Sequence, residues 1–186
     1  MNLGVLISGT GSNLKALIDA KEDNFFKSDI KLVLSNKEAK GLFHGYNANI
    51  PSFVVKSDEE ILKKLEEYKI DLIVLAGYLP KISEKIIDRY KNKIINIHPS
   101  LLPKYGGKGY YGMKVHEAVF NAREIESGVT IHYVNENLDD GDVILQEKVD
   151  IRNLKSPKEI AAEVLKLEHD LYKRAIKKLE GEIWGR

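Results

Sequence analysis

Apolar residues along this chain alternate between two patterns. Short, nearly unbroken runs occur at Leu3–Ser8, Ile30–Ser35, Phe53–Val55, Asp71–Ala76 and Ile94–His98. Such runs read as strands buried on both faces. Between most of them the spacing widens to three and four residues. Asn13–Asp23 carries Leu14, Leu17 and Ile18 on one face, and Asp58–Lys69 carries Ile61, Leu62, Leu65 and Tyr68. Ser57 followed by Glu60 is a capping-box pattern, and Ser83 opens a further helix bearing Ile86, Ile87 and Tyr90. Buried strands separated by helices predict a parallel sheet covered on both sides.

The second half changes style. Tyr105–Gly112 is a glycine-rich loop, followed by a helix near Met113–Ala122. Two strands, Val129–Val134 and Val143–Val149, joined by a polar loop, predict an antiparallel pair that extends the sheet. A long helix closes the chain, with Ser156 as N-cap, Pro157 and Glu159 in its first turn, and Gly181 just past its end. The predicted fold is α/β in three layers: a mostly parallel twisted sheet with helices on both faces and an antiparallel addition in the C-terminal part. Nothing divides residues 1–186, so a single domain is expected.

Composition narrows the partners. Lys and Arg number 29 against 28 for Asp and Glu, a net charge of +1. That balance gives no electrostatic reason to expect nucleic acid or an acidic membrane surface. The chain has no cysteine, which excludes disulfides, thiolate nucleophiles and thiolate metal sites. The first apolar run is too short for a signal segment, and no stretch approaches the ~20 apolar residues of a membrane span. A cytoplasmic location is expected.

Two segments carry candidate chemistry. Strand Leu3–Ser8 runs into Gly9-Thr10-Gly11-Ser12-Asn13 and then a helix. Glycines permit a tight turn that exposes amide N–H groups, the helix N-terminus adds partial positive charge, and Ser12 and Asn13 can cap the helix or donate to an anion. A phosphate fits such a loop at the end of a first parallel strand. A dinucleotide fits less well: Leu14 stands where the third glycine of the G-x-G-x-x-G pattern belongs, and Ser35-Asn36 supplies no acid for a ribose. The second segment is Ile94–Pro103. Residues two apart share a strand face, so Asn96 and His98 point one way while Ile95 and Ile97 pack the other. An amide and an imidazole at the end of an Ile-rich strand are expensive to bury without a partner or a purpose.

Asn96-Ile97-His98-Pro99-Ser100-Leu101-Leu102-Pro103 resembles the signature of the folate-dependent formyltransferases. A second signature of that family is matched by Leu138-Asp139-Asp140-Gly141-Asp142-Val143-Ile144, and Val5–Leu14 is similar to the opening of its glycinamide ribonucleotide branch. The resemblance implies a metal-free transfer of formyl from the co-substrate 10-formyltetrahydrofolate to an amine, with Asn96, His98 and Asp139 as the catalytic centre. In acyl transfer, donors aimed at the developing oxyanion are usually the largest catalytic contribution, about 3–4 kcal/mol for one. Asn96 offers a neutral donor and His98, if protonated, a charged one. A carboxylate beside the imidazole orients it and favours its charged form, the role that falls to Asp139. Read without the resemblance, Asp139 is one acid of a solvated loop.

The resemblance also implies binding positions. Gly11, Ser12 and Asn13 would hold the nucleotide phosphate and Glu168 the ribose. Leu79, Pro80, Lys81 and Ile82, with Leu138 and the main chain around Asp140, would hold the folate. Glu168 is conspicuous by itself, because it falls within the apolar stripe of Ala161, Val164, Leu165, Leu171, Tyr172 and Ala175. A carboxylate there needs a pocket or an internal salt bridge. His44, His116 and His169 read as surface or packing residues on helices, and His132 as a strand residue with no assigned role. Two family branches are disfavoured. The tRNA branch carries a basic surface and a C-terminal domain, and the formyltetrahydrofolate hydrolases carry an extra N-terminal domain, whereas here the first core strand starts at residue 3. The chain departs from the family in lacking a Pro-Gly pair after Lys104-Tyr105. The four glycines of Gly106–Gly112 would permit a mobile lid instead. Small-molecule substrates and a monomer or homodimer are expected.

Overall fold

The structure is a computed structural model, and its described residues are 1–184. In chain order the elements are β1 (Asn2–Ile7), α1 (Ser12–Glu22), β2 (Asp29–Ser35), α2 (Leu42–Asn47), β3 (Ser52–Val54), α3 (Asp58–Glu67) and β4 (Leu72–Leu75). They continue with α4 (Glu84–Arg89), β5 (Ile94–His98), α5 (Met113–Asn121), β6 (Glu126–Tyr133), β7 (Val143–Asp150) and α6 (Pro157–Trp184). The strands form one seven-stranded sheet in the order β3-β2-β1-β4-β5-β6-β7. Pairing is parallel from β3 to β5 and antiparallel from β5 to β7.

The two-residue period of the strands divides the core. Val5, Ile7, Val33, Val74, Ile95, Ile97, Val129 and Ile131 meet α1, α5 and α6 on one face. Leu6, Leu32, Leu34, Ile73, Leu75 and Ile94 meet Ile61 and Leu65 of α3 and Ile86 and Ile87 of α4 on the other. This second cluster takes in Ile94 but not Asn96 or His98 farther along β5, so those polar residues lie past its apolar packing. The strand order reverses between β1 and β4, which opens a crevice at the carboxyl ends of the parallel strands, the usual ligand position in such sheets.

Two predicted helix ends differ. Gly181 lies inside α6, which continues to Trp184. An exposed helical glycine costs only about 1 kcal/mol relative to alanine. The turns before it are fixed by burial of Ile176 and Leu179, by Lys178 Nζ donating to the Ile144 carbonyl, and by Glu180 accepting from the Lys27 and Ser28 amides. Packing therefore overrides the stop signal. At α1 the N-cap is Gly11, in the left-handed region at φ 74°, and no side chain caps the helix. A Cβ at Gly11 would lie 2.7 Å from the Gly41 Cα, so the two backbones touch and only glycine fits. Ser12 is thereby displaced into the helix, and Asn13 turns away to another partner.

Candidate active site

A cavity of about 690 Å³ opens at the crevice. It brings together Asn13, Leu79, Pro80, Lys81, Ile82, Asn96, His98, Leu138, Asp139 and Glu168. Three expected contacts lie outside its lining. Gly11 and Ser12 precede Asn13 at the N-terminus of α1, and the Asp140 side chain is exposed, accepting from Asn137 Nδ2 at 3.2 Å.

Asn96 and His98 reach the cavity because strand alternation puts both on the face opposite Ile95 and Ile97, and Pro99 ends the strand immediately after them. The turn that follows is tied down by Thr130, the cross-strand partner of His98. Its hydroxyl donates to the Ser100 carbonyl at 2.7 Å and accepts from the Leu102 amide at 3.1 Å. His98 is 4% exposed, and its Nε2 lies 2.8 Å from the Tyr105 carbonyl oxygen. A carbonyl only accepts, so Nε2 carries a hydrogen and Nδ1 is the nitrogen left to face Asp139, at 3.5 Å from Oδ2.

Asp139 arrives from the loop between β6 and β7 with its backbone in the left-handed region, φ 56°. The Gly107 amide donates to its Oδ2 at 2.9 Å, which joins the glycine-rich loop to the carboxylate. A second imidazole, His132 on β6, stands 3.7 Å from Oδ1. The carboxylate is thus bracketed by two histidine rings, one from each of two neighbouring strands.

Where the first and last helices meet at the cavity, Asn13 Nδ2 donates to Glu168 Oε2 at 2.7 Å. No internal salt bridge forms at Glu168 among the described residues, so its stripe position is explained by this amide and by the cavity. Burial pushes the Glu168 carboxyl above its ordinary range, opposed by the Asn13 hydrogen bond. Asn13 Oδ1 is buried and has no hydrogen-bond partner among the described residues. Elsewhere in the lining Leu79 is 62% exposed, while Ile82, three residues on, is buried.

Several site residues carried no sequence signal strong enough to single them out. Ser8 Oγ donates to Asn36 Oδ1 at 2.7 Å and accepts from the Leu79 amide at 2.9 Å, setting the apolar wall against the ends of β1 and β2. His116, 5% exposed, reaches the cavity from α5, and burial lowers its pKa to about 4, with His98 nearby adding to the effect. Tyr110 and Tyr111 line the mouth from the glycine-rich loop. The one available signal was in β6, where Thr130 and His132 alternate against Val129 and Ile131 and so mark a polar strand face.

A model of the formyl transferase family matches residues 1–176. The phosphoribosylglycinamide formyltransferase of Haemophilus influenzae is 39% identical over 185 residues, covering 94% of this chain and 85% of that protein. A chloroplastic phosphoribosylglycinamide formyltransferase of Vigna unguiculata is 38% identical over 98% of this chain, which spans 62% of that relative's length. Among solved structures, phosphoribosylglycinamide formyltransferase from Anaplasma phagocytophilum superposes with a TM-score of 0.91 at 37% identity, covering 97% of this chain and 87% of that one.

Proposed function

Because the chain belongs to the formyl transferase family, we propose that it moves the formyl group of 10-formyltetrahydrofolate to the amine of glycinamide ribonucleotide, yielding tetrahydrofolate and the formylated nucleotide. The observation that carries this reading is the convergence of Asn96, His98 and Asp139 on one wall of a cavity whose other walls differ in character. The Asn13–Glu168 side is polar and adjoins a helix N-terminus, which suits a ribose phosphate. The Leu79–Ile82 side is apolar, which suits a pteridine.

In this reading the neutral amine attacks the formyl carbon, and charge builds on the formyl oxygen. The Asn96 N–H donates to that oxygen, and His98 Nδ1 does so in the form of the ring that carries a hydrogen there. The amine nitrogen then loses a proton to Asp139, directly or through one water, and Asp139 passes that proton to the folate nitrogen as its bond to the formyl carbon breaks. Both substrates are held by side chains already in place, so proximity supplies a further part of the acceleration.

The test is a coupled absorbance assay of folate turnover with glycinamide ribonucleotide present or omitted. Turnover that requires the nucleotide is expected. Deformylation without it would indicate a hydrolase, and nucleotide binding with no turnover would leave only a binding module.

A further inference from the structure

We infer that His132 is a positioning residue for this transfer: its unprotonated Nε2 holds one N–H of the Asn96 carboxamide and leaves the other for the reacting carbonyl. The inference rests on the reading of Asn96 as an oxyanion donor.

Asn96 and His132 are direct partners in the antiparallel register of β5 and β6, so their side chains leave the same sheet face side by side. His132 is 3% exposed. Its Nδ1 lies 2.8 Å from the Tyr133 carbonyl oxygen, an atom that can only accept, so Nδ1 carries a hydrogen. Burial is the largest influence on the ring and opposes a second proton. Among the charged neighbours, Asp139 favours protonation and His98 opposes it, while the facing residue of β7 is Val143. Nε2 therefore presents a lone pair, and Asn96 Nδ2 stands 3.2 Å from it.

The tautomer decides the amide. Rotating the Asn96 carboxamide by half a turn would set Oδ1 against that lone pair, acceptor facing acceptor. With Nδ2 held inward, the second N–H is the donor that remains, and Asn96 lines the cavity. A proton on Nε2 would place two donors face to face and release this arrangement. The imidazole acts on the reaction through the amide and touches neither substrate.

The experiment compares His132→Leu, which removes the acceptor, with His132→Gln, whose Oε1 accepts without titrating, in the full chain. Loss of an aligned oxyanion donor costs roughly 10²–10³ in kcat. His132→Leu is expected to lower kcat by at least about tenfold with KM for both substrates nearly unchanged, and His132→Gln to recover most of that loss. Long-range proton–nitrogen NMR of the wild type is expected to show a neutral His132 with its hydrogen on Nδ1. A hydrogen on Nε2 would overturn the inference. So would near-native kcat in His132→Leu while Asn96→Ala is inactive, or equal losses in both His132 variants with lowered Tm, which would mark a packing role. If Asn96→Ala itself kept its rate, the oxyanion assignment would fail first and the His132 inference with it.

Discussion

At the scale of single residues, the site is a set of buried polar groups whose hydrogen-bond partners fix which nitrogen of each histidine ring must carry a hydrogen. His98 and His132 each spend one ring nitrogen on a backbone carbonyl, at 2.8 Å in both cases, and so both turn the other toward Asp139. If the three assigned residues act as donors and proton acceptor, Asn96→Ala, His98→Ala and Asp139→Asn each lower kcat by roughly a hundredfold or more. Nucleotide affinity, measured by calorimetry, should change little, and a variant with a near-native rate would remove its residue from the mechanism. His116 makes a separate prediction about stability. Unfolded, its ring takes a proton as pH falls through about 6.5, whereas the folded ring resists until about 4, so the native state loses stability across that window and none above it. Melting temperatures of wild type and His116→Phe should diverge between those two pH values, the wild type falling faster. Parallel curves would show that His116 is not the group responsible.

At the scale of elements, the loop between β6 and β7 is seated tightly against the end of β6 at Gly141. An added Cβ on Gly141 would lie 1.7 Å from the Tyr133 carbonyl oxygen, the same atom that fixes the His132 ring. Gly141→Ala must therefore push the loop away from β6 and carry Asp139 with it. Steady-state kinetics should show kcat reduced by at least about tenfold, because small misplacements of reacting groups cost on that order. A fully active Gly141→Ala would mean that the loop's seat on β6 does not set the position of the carboxylate. Elements whose signals are local were readable in the sequence: the Ser57 and Ser83 hydroxyls accept from the Glu60 and Ile86 amides as their caps predict. The shared face of Asn96 and His98 was equally readable, since alternation needs no knowledge of the rest of the chain. The contact of Asp139 with His98 came from a family pattern, because the two are far apart in sequence and spacing carries no information about it. The pairing of Asn96 with His132 was not readable at all. It depends on the antiparallel register of β5 against β6, which the intervening loop and α5 determine together.

At the scale of the whole molecule, the first and last helices meet at the part of the cavity proposed to hold the nucleotide. Asn13 and Glu168 are 155 residues apart in sequence and 2.7 Å apart in space, and Tyr172, one turn farther along α6, donates its buried hydroxyl to the Leu75 carbonyl at the end of β4. A ligand seated there contacts the first and last helices together and so favours the folded state as a unit. At a nucleotide concentration a hundred times its dissociation constant, binding adds about 2.7 kcal/mol. For a chain of this size that amounts to a rise in Tm of roughly 5–11 °C. Glu168→Gln separates stability from binding, because glutamine resembles the protonated acid that burial favours. The folded pKa of Glu168 is raised, so its ionised form destabilises the native state as pH climbs past the ordinary carboxyl range. Without ligand, the glutamine variant should then melt at or slightly above the wild-type temperature near neutral pH. With ribose hydroxyls seeking a carboxylate acceptor, its KM for the nucleotide should rise and its ligand-induced Tm shift should shrink. An undiminished shift, measured by scanning fluorimetry at matched nucleotide concentration, would return Glu168 to a purely structural contact between α1 and α6.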